Sequence, residues 1–299
     1  MDFLSYIFYR SIANMCYKII LGFLFVFPIS GCSFAEQTGK YVKLEQSVCG
    51  LKEPFIFWLW SNTAGRPSQK RLVGLSNVKD ISFKAKDNRI LRGYLLQANE
   101  DRQELVKKPK GFLLVLQGNA ILADQILTEF SRFSRAGYDV YIYDYRGYGR
   151  SEGKRRLKAM VSDINEIVLY LTSKPYDERL VYAMSFGGIL LLDSFDVNRK
   201  LDRVIIDSTP SRLSTYGCPQ EFDPILRLPK DCSNFMFITG KRDHVVTAAM
   251  SQEMVKLAQQ RNAMVVSDAE FSHPFMDASR IVHQRRMHMI ERFLLGHND

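Results

Sequence analysis

From residue 78 onward, two hydrophobic periods alternate along the chain. Short apolar or β-branched runs give way to stretches in which apolar residues recur every three or four positions. Runs at 81–83 and 90–96, split by Lys86-Asp87-Asn88, predict an opening hairpin. Continuous apolar runs follow at 112–116, 140–143, 180–182, 204–206, 235–239 and 264–266, as expected of strands covered on both faces. Helical faces lie between them: Ile126, Phe130 and Phe133; Val161, Ile164, Val168 and Leu171; residues 186–192; Met250, Met254 and Leu257. Ile281, Met287, Ile290 and Leu294 predict a closing helix. Such alternation demands an α/β fold with a mostly parallel central sheet and helices on both faces. The stretch 207–234 breaks the rhythm. It holds four prolines and two cysteines and is too long for a simple crossover, which predicts a small cap insertion at about 208–233.

The first residues follow another pattern. Arg10 and Lys18 precede an apolar run at 19–29, short for a membrane span and suited to a signal h-region. It ends in Ile29-Ser30-Gly31-Cys32, which resembles the bacterial lipoprotein lipobox. That resemblance implies a signal peptide at 1–31, with Cys32 carrying lipid (palmitate among its chains) as the first mature residue. Ser33 behind it is compatible with outer-membrane delivery. An ordinary secreted protein or an uncleaved anchor is the alternative. Residues 33–47 are polar and read as a tether. Residues 54–60, PFIFWLW, are expected to pack on the domain, with a place in the membrane interface as the other reading. The organisation expected is a leader at 1–31, a lipidated tether and N-terminal segment at 32–77, and one domain at 78–299.

Composition narrows the partners. The 299 residues are 46% hydrophobic and 24% charged, which suits one globular domain plus a leader. The net charge is +9, yet no basic stripe interleaved with aromatics appears, so nucleic acid is a poor partner and an anionic membrane surface a better one. Of five cysteines, Cys49, Cys218 and Cys232 remain once the leader and Cys32 are set aside. In an oxidising compartment Cys218 with Cys232 is the tidiest disulfide, since both lie in one excursion; Cys49 can replace either. Histidines and cysteines show no zinc spacing, and Gly147, Gly149 and Gly153 lack the lysine and hydroxyl of a phosphate loop. No metal or cofactor is implied.

The candidate chemistry centres on YAMSFGG, residues 182–188. A serine between strand and helix, flanked by small residues, reads as a nucleophile elbow. Ser185 needs a base, and His273 follows the last predicted strand. Asp243 follows the strand before it and would fix the imidazole tautomer. Asp207, also just past a strand, is a rival acid. His244 adjoins Asp243 and reads as a loop residue; His283 and His288 fall in the closing helix and are expected at the surface. Asp144 and Glu152 are expected to shape the glycine-rich loop. For the oxyanion, the N–H of Phe186 is one donor and that of Asn119 the other, with Ala120 as second choice.

QGNA at 117–120, YDYRGYGRSEG at 143–153 and AMSFGG at 183–188 together resemble the α/β-hydrolase superfamily. The nearest resemblance is to its Bem46-like branch, which includes membrane-associated hydrolases and protein depalmitoylases. It runs from about residue 78 to the C-terminus and leaves the cap unmatched. It implies Ser185 as nucleophile, Asp243 as acid and His273 as base. The activity expected is hydrolysis of an ester or thioester, small or lipid-like, at the bacterial envelope, on an outer membrane and facing the periplasm. Two positions depart from the family: Gln117 stands for the usual histidine and Ala183 for the usual glycine. The first reads as a changed support for the loop, the second as slight crowding of the elbow. They motivate a catalytically silent scaffold as the alternative, beside a serine peptidase.

Overall fold

The computed structural model describes residues 44–100, 104–105, 108–194 and 200–296. The leader, Cys32 and the tether up to residue 43 lie outside the described residues.

Eight strands form the central sheet: β1 (Val78–Lys84), β2 (Ile90–Leu96), β3 (Gly111–Leu116), β4 (Tyr138–Tyr143), β5 (Glu178–Met184), β6 (Arg203–Asp207), β7 (Phe235–Gly240) and β8 (Met264–Asp268). Their order is β1-β2-β4-β3-β5-β6-β7-β8. β1 and β2 pair antiparallel, with Val78 opposite Leu96, and β2 runs antiparallel to β4. Every later pairing is parallel. Each predicted strand is present. The α/β-hydrolase fold implied by the motifs is the fold observed.

Alternate residues of the strands enter two cores. Leu114, Val181, Val204 and Phe237 pack on one face with α2 (Leu157–Thr172) and α3 (Phe186–Asp193). Leu113, Val115, Tyr182, Ile205 and Met236 pack on the other with Met287, Ile290 and Leu294 of α5 (Arg280–Leu295). Each such side chain contributes about 1.5–3 kcal/mol through removal from water. The remaining parallel crossover carries α4 (Ala248–Gln260). The helix expected around Ile126 and Phe133 is broken into Ala123–Ile126, a 3₁₀ turn at Leu127–Phe130, and Ser131–Arg135.

The topology fixes where a ligand can sit. After β3 the chain moves to β4 on one side, then returns to β5 on the other. The loop following β3 therefore opens at the switch point, beside the end of β5.

The cap at 208–233 consists of three 3₁₀ turns, Ser214–Tyr216, Gln220–Phe222 and Pro224–Arg227. Buried Asp223 ties it together by accepting the Ser214 N–H and hydroxyl, each at 2.7 Å. The expected Cys218–Cys232 pairing does not form. Cys218 instead bonds Cys49, 169 residues away. Cys232 is a buried free thiol whose N–H donates to the Arg261 carbonyl beyond α4. The two cap cysteines are close in sequence but face different neighbours.

Residues 52–63 form helix α1 (Lys52–Thr63). Its Glu53 is buried and accepts the N–H groups of Val48, Cys49 and Leu157 at 2.7–2.8 Å. Phe57 packs against Phe186, ring centroids 5.2 Å apart. The packing expected of the PFIFWLW stretch is thus seen at Phe57. Among the described residues no helix is long and apolar enough to cross a membrane.

Candidate active site

Ser185 stands where β5 turns into α3, with φ 52° and ψ −116°. This is a costly conformation for a side-chain-bearing residue, and its surroundings hold it there. The Ser185 N–H donates to the Asp207 carbonyl at 2.8 Å, and its own carbonyl accepts the Thr209 hydroxyl at 3.1 Å. The glycines behind it let α3 pass close to the sheet. A Cβ on Gly187 would collide with the Leu116 carbonyl, and one on Gly188 with the Thr209 hydroxyl. Ala183 is fully buried within β5 and belongs to the apolar core, so its methyl is accommodated.

Asp243 and His273 come together as expected. His273 Nδ1 lies 2.8 Å from Asp243 Oδ2. The other carboxylate oxygen accepts the N–H groups of Val245 and Val246, both at 2.8 Å. Burial pushes the Asp243 carboxyl up, but the His273 hydrogen bond and charge, with these backbone donors, prevail and hold it below the usual carboxylate range. With Nδ1 engaged, Nε2 is the nitrogen left to exchange a proton. Among the described residues no hydrogen bond ends on His273 Nε2 or on Ser185 Oγ.

Asp207 does other work. Both its oxygens face Arg286 NH1, at 2.9 and 3.0 Å, and Tyr182 donates its hydroxyl at 2.9 Å. Arg286 also donates to the Ser272 carbonyl at 2.5 Å and to Asp277 at 3.0 Å, and Asp277 accepts the Ser272 N–H at 2.9 Å. A buried Asp207–Arg286–Asp277 chain therefore joins the serine turn to the residue before His273.

The loop after β3 faces the serine: a methyl built on Gly118 would touch Ser185 Cβ at 3.6 Å. Among the described residues no acceptor takes the N–H of Asn119 or of Phe186. The Ala120 N–H is engaged by Asn119 Oδ1 at 3.2 Å, which leaves Asn119 the better second donor. Tyr148 donates its hydroxyl to the same Oδ1 at 2.5 Å. Gln117 is wholly buried; its side-chain amide donates to the Tyr143 carbonyl at 2.8 Å, and its main-chain carbonyl accepts the Tyr145 hydroxyl at 2.6 Å. It supports the loop as the sequence suggested.

Asp144 and Glu152 shape their loop. Asp144 accepts the Ala123 N–H at 2.8 Å, and burial raises its pKa to about 6. Glu152 accepts the Ile90 N–H at 3.1 Å. His244 and His288 are exposed. His283 is not at the surface: its ring lies 3.5 Å from Glu129 and 3.8 Å from Asp277, with Phe275 against it. Helical period alone placed it on the wet side, because the neighbouring 3₁₀ turn carrying Glu129 was not foreseen. Arg286 and Tyr148 were not singled out from sequence. The one available signal was an arginine at 286, inside the apolar face set by Val282, Met287 and Ile290.

A cavity of about 330 Å³ opens where the cap meets α4. Pro210, Tyr216 and Met250 line it, and the exposed Arg212–Glu253 pair lies at its wall. It begins one residue past Thr209.

Comparison with known proteins agrees with this architecture. Residues 107–228 match the family Hydrolase_4, described as serine aminopeptidase, S33. That match contains Ser185 and most of the cap but stops short of Asp243 and His273. The uncharacterized protein YfhR of Escherichia coli is 22% identical over 233 residues, covering 71% of this chain and 79% of that protein. The Pyrococcus furiosus esterase Pf2001 superposes with a TM-score of 0.59 at 18% identity, covering 78% of this chain and 96% of that one. An α/β hydrolase from Vibrio vulnificus gives a TM-score of 0.62 at 15% identity, covering 82% and 95% of the two chains.

Proposed function

We propose that this protein, whose fold is that of the α/β hydrolases, belongs to that superfamily and is a serine hydrolase that cleaves an ester or thioester through an acyl-Ser185 intermediate. The observation that carries the reading is the 2.8 Å bond between His273 Nδ1 and fully buried Asp243, with Nε2 left without a partner at the same end of the sheet as the strained serine.

The proposed sequence is as follows. Ser185 Oγ attacks the carbonyl carbon as His273 Nε2 takes its proton. Asp243 stabilises the imidazolium without itself accepting the proton. The N–H groups of Asn119 and Phe186 face the developing oxyanion. Collapse expels the alcohol or thiol, which leaves with the proton from His273. Water, deprotonated by the same nitrogen, then releases the acid and restores the serine. An amide asks more of the leaving-group protonation, so a peptidase is the second choice.

The chain is further proposed to act at the bacterial envelope, tethered through lipid on Cys32 to an outer membrane and facing the periplasm. The leader pattern and the disulfide, a bond of oxidising compartments, support this. Labelling with a fluorophosphonate probe tests the chemistry. Wild type should label and turn over p-nitrophenyl esters; Ser185→Ala should do neither. Absence of both in folded wild-type protein would leave the silent scaffold. Palmitate incorporation lost in Cys32→Ser tests the anchor.

A further inference from the structure

We infer that α1 is a docking element for an anionic bilayer surface, laying its aromatic face among the lipid headgroups. This stands apart from the catalytic reading, since it concerns a surface and not Ser185.

The helix shows too little of its apolar surface to the domain. At 100° per residue, Glu53, Phe57 and Ala64 fall on one side, and these are the buried positions. The rest of the circle carries Leu51, Phe55, Ile56 and Trp58, all exposed, Trp58 by 53% and Leu51 by 95%; Trp60 stays exposed although it projects from the edge of the buried side. A soluble surface helix presents polar residues on that side. Contiguous exposed apolar residues of this kind mark an interaction site.

The helix is also held rigidly. The Cys49–Cys218 disulfide fastens the chain before it, Glu53 fastens its first turn, and Gln125 donates to the Ala64 carbonyl at 2.8 Å just past its end. The exposed rings are therefore presented by a fixed platform, and their exposure is not a frayed end.

Charge selects the occupant. From residue 51 to 77 the only acid is Glu53, and it is buried with its oxygens taken. Lys52, Arg66 and Lys70 are exposed, whereas Arg71 pairs with buried Asp124 at 2.6 Å. An aromatic helix whose own sequence offers exposed cations and no exposed acid complements an anionic lipid surface, where tryptophan prefers the boundary between headgroup and acyl chain. A second copy of this chain would bring the same cations face to face in a twofold contact. The sequence agrees, since Cys32, proposed above as the lipidated residue, lies shortly upstream. Because Phe57 packs on Phe186, a docked α1 would bring the serine end of the sheet close to the lipid surface.

Both tryptophans of the chain, Trp58 and Trp60, lie on α1, so intrinsic emission reports this helix alone. The full chain is mixed with phosphatidylcholine vesicles with and without phosphatidylglycerol, and with the same vesicles carrying brominated acyl chains. The expected result is a blue shift and about twofold quenching by brominated lipid on anionic vesicles. Quenching should weaken in Lys52→Glu/Lys70→Glu and in Phe55→Ser/Ile56→Ser, provided circular dichroism is retained. Ser185→Ala should behave as wild type, which separates this result from the fate of the catalytic proposal. Vesicle-bound chain whose tryptophans brominated lipid does not quench would overturn the inference. So would a blue shift with rising protein concentration in the absence of lipid, accompanied by a doubled mass in light scattering, which would assign the face to a second copy. Equal quenching on pure phosphatidylcholine would overturn the choice of an anionic surface.

Discussion

Tyr148 donates its hydroxyl to Asn119 Oδ1 at 2.5 Å. The glycine-rich loop after β4 thereby sets the peptide proposed to face the oxyanion. Tyr148→Phe removes that restraint and leaves the ring in place. The expected outcome is a fall of about tenfold in kcat with KM for a p-nitrophenyl ester little changed, because a misaimed oxyanion donor weakens the transition state more than the ground state. A stability loss with kcat unchanged would reduce Tyr148 to packing.

The two candidate acids predict opposite phenotypes. Asp243→Asn should lower kcat by about 10⁴-fold with the fold intact, since the imidazole loses its orienting carboxylate. Asp207→Asn should weaken folding, and its remaining activity should keep the wild-type pH profile. Ester hydrolysis from pH 5 to 9, beside urea melts, distinguishes them.

Arg286→Met should destabilise the protein by about 3–5 kcal/mol, because it strands Asp207 and Asp277 in the interior. Adding Asp207→Asn to that variant should recover part of the loss. Urea denaturation with a two-state fit measures both.

His283 gives a pH signature of stability. The Asp277 and Glu129 carboxylates, which face its ring N–H groups, raise its pKa to about 9, from about 6.5 in the unfolded chain. The folded state thus binds a proton more tightly than the unfolded state. The contribution is complete below about pH 6.5 and disappears as pH rises through about 9. The gap between the urea midpoints of wild type and His283→Gln should therefore narrow from pH 6 to pH 10. A constant gap would contradict the assignment.

Peptide mapping without reductant should recover Cys49 linked to Cys218, with Cys232 alkylated only after unfolding. Cys218→Ser should cost about 2–4 kcal/mol.

Most of the fold was legible because buried parallel strands write continuous apolar runs, as at residues 112–116 and 235–239. Where covalent and charged partners come from distant sequence, the pattern gave out. Cys218 met Cys49 in place of its near neighbour, and His283 turned inward toward a carboxylate on a short 3₁₀ turn. At the site, Ser185, Asp243 and His273 stood out because each follows a strand, in one recognisable order. The parts that hold them did not. Arg286 lies on α5, and although its place within the apolar face of Val282 and Ile290 hints at burial, nothing local to RIVHQRRMHM names the carboxylates it reaches. Trp58 and Trp60 were visible as an aromatic run, but their exposure belongs to the helix's orientation.

Arg286 has one more consequence. The serine turn and the acid loop are complete long before the chain reaches residue 286, yet the brace on the histidine loop arrives only with the final helix. A nascent polypeptide, or one clipped upstream of that helix, would carry the reactive groups without their alignment. Competence for the proposed acyl chemistry would then wait until residues 280–295 have folded onto the sheet.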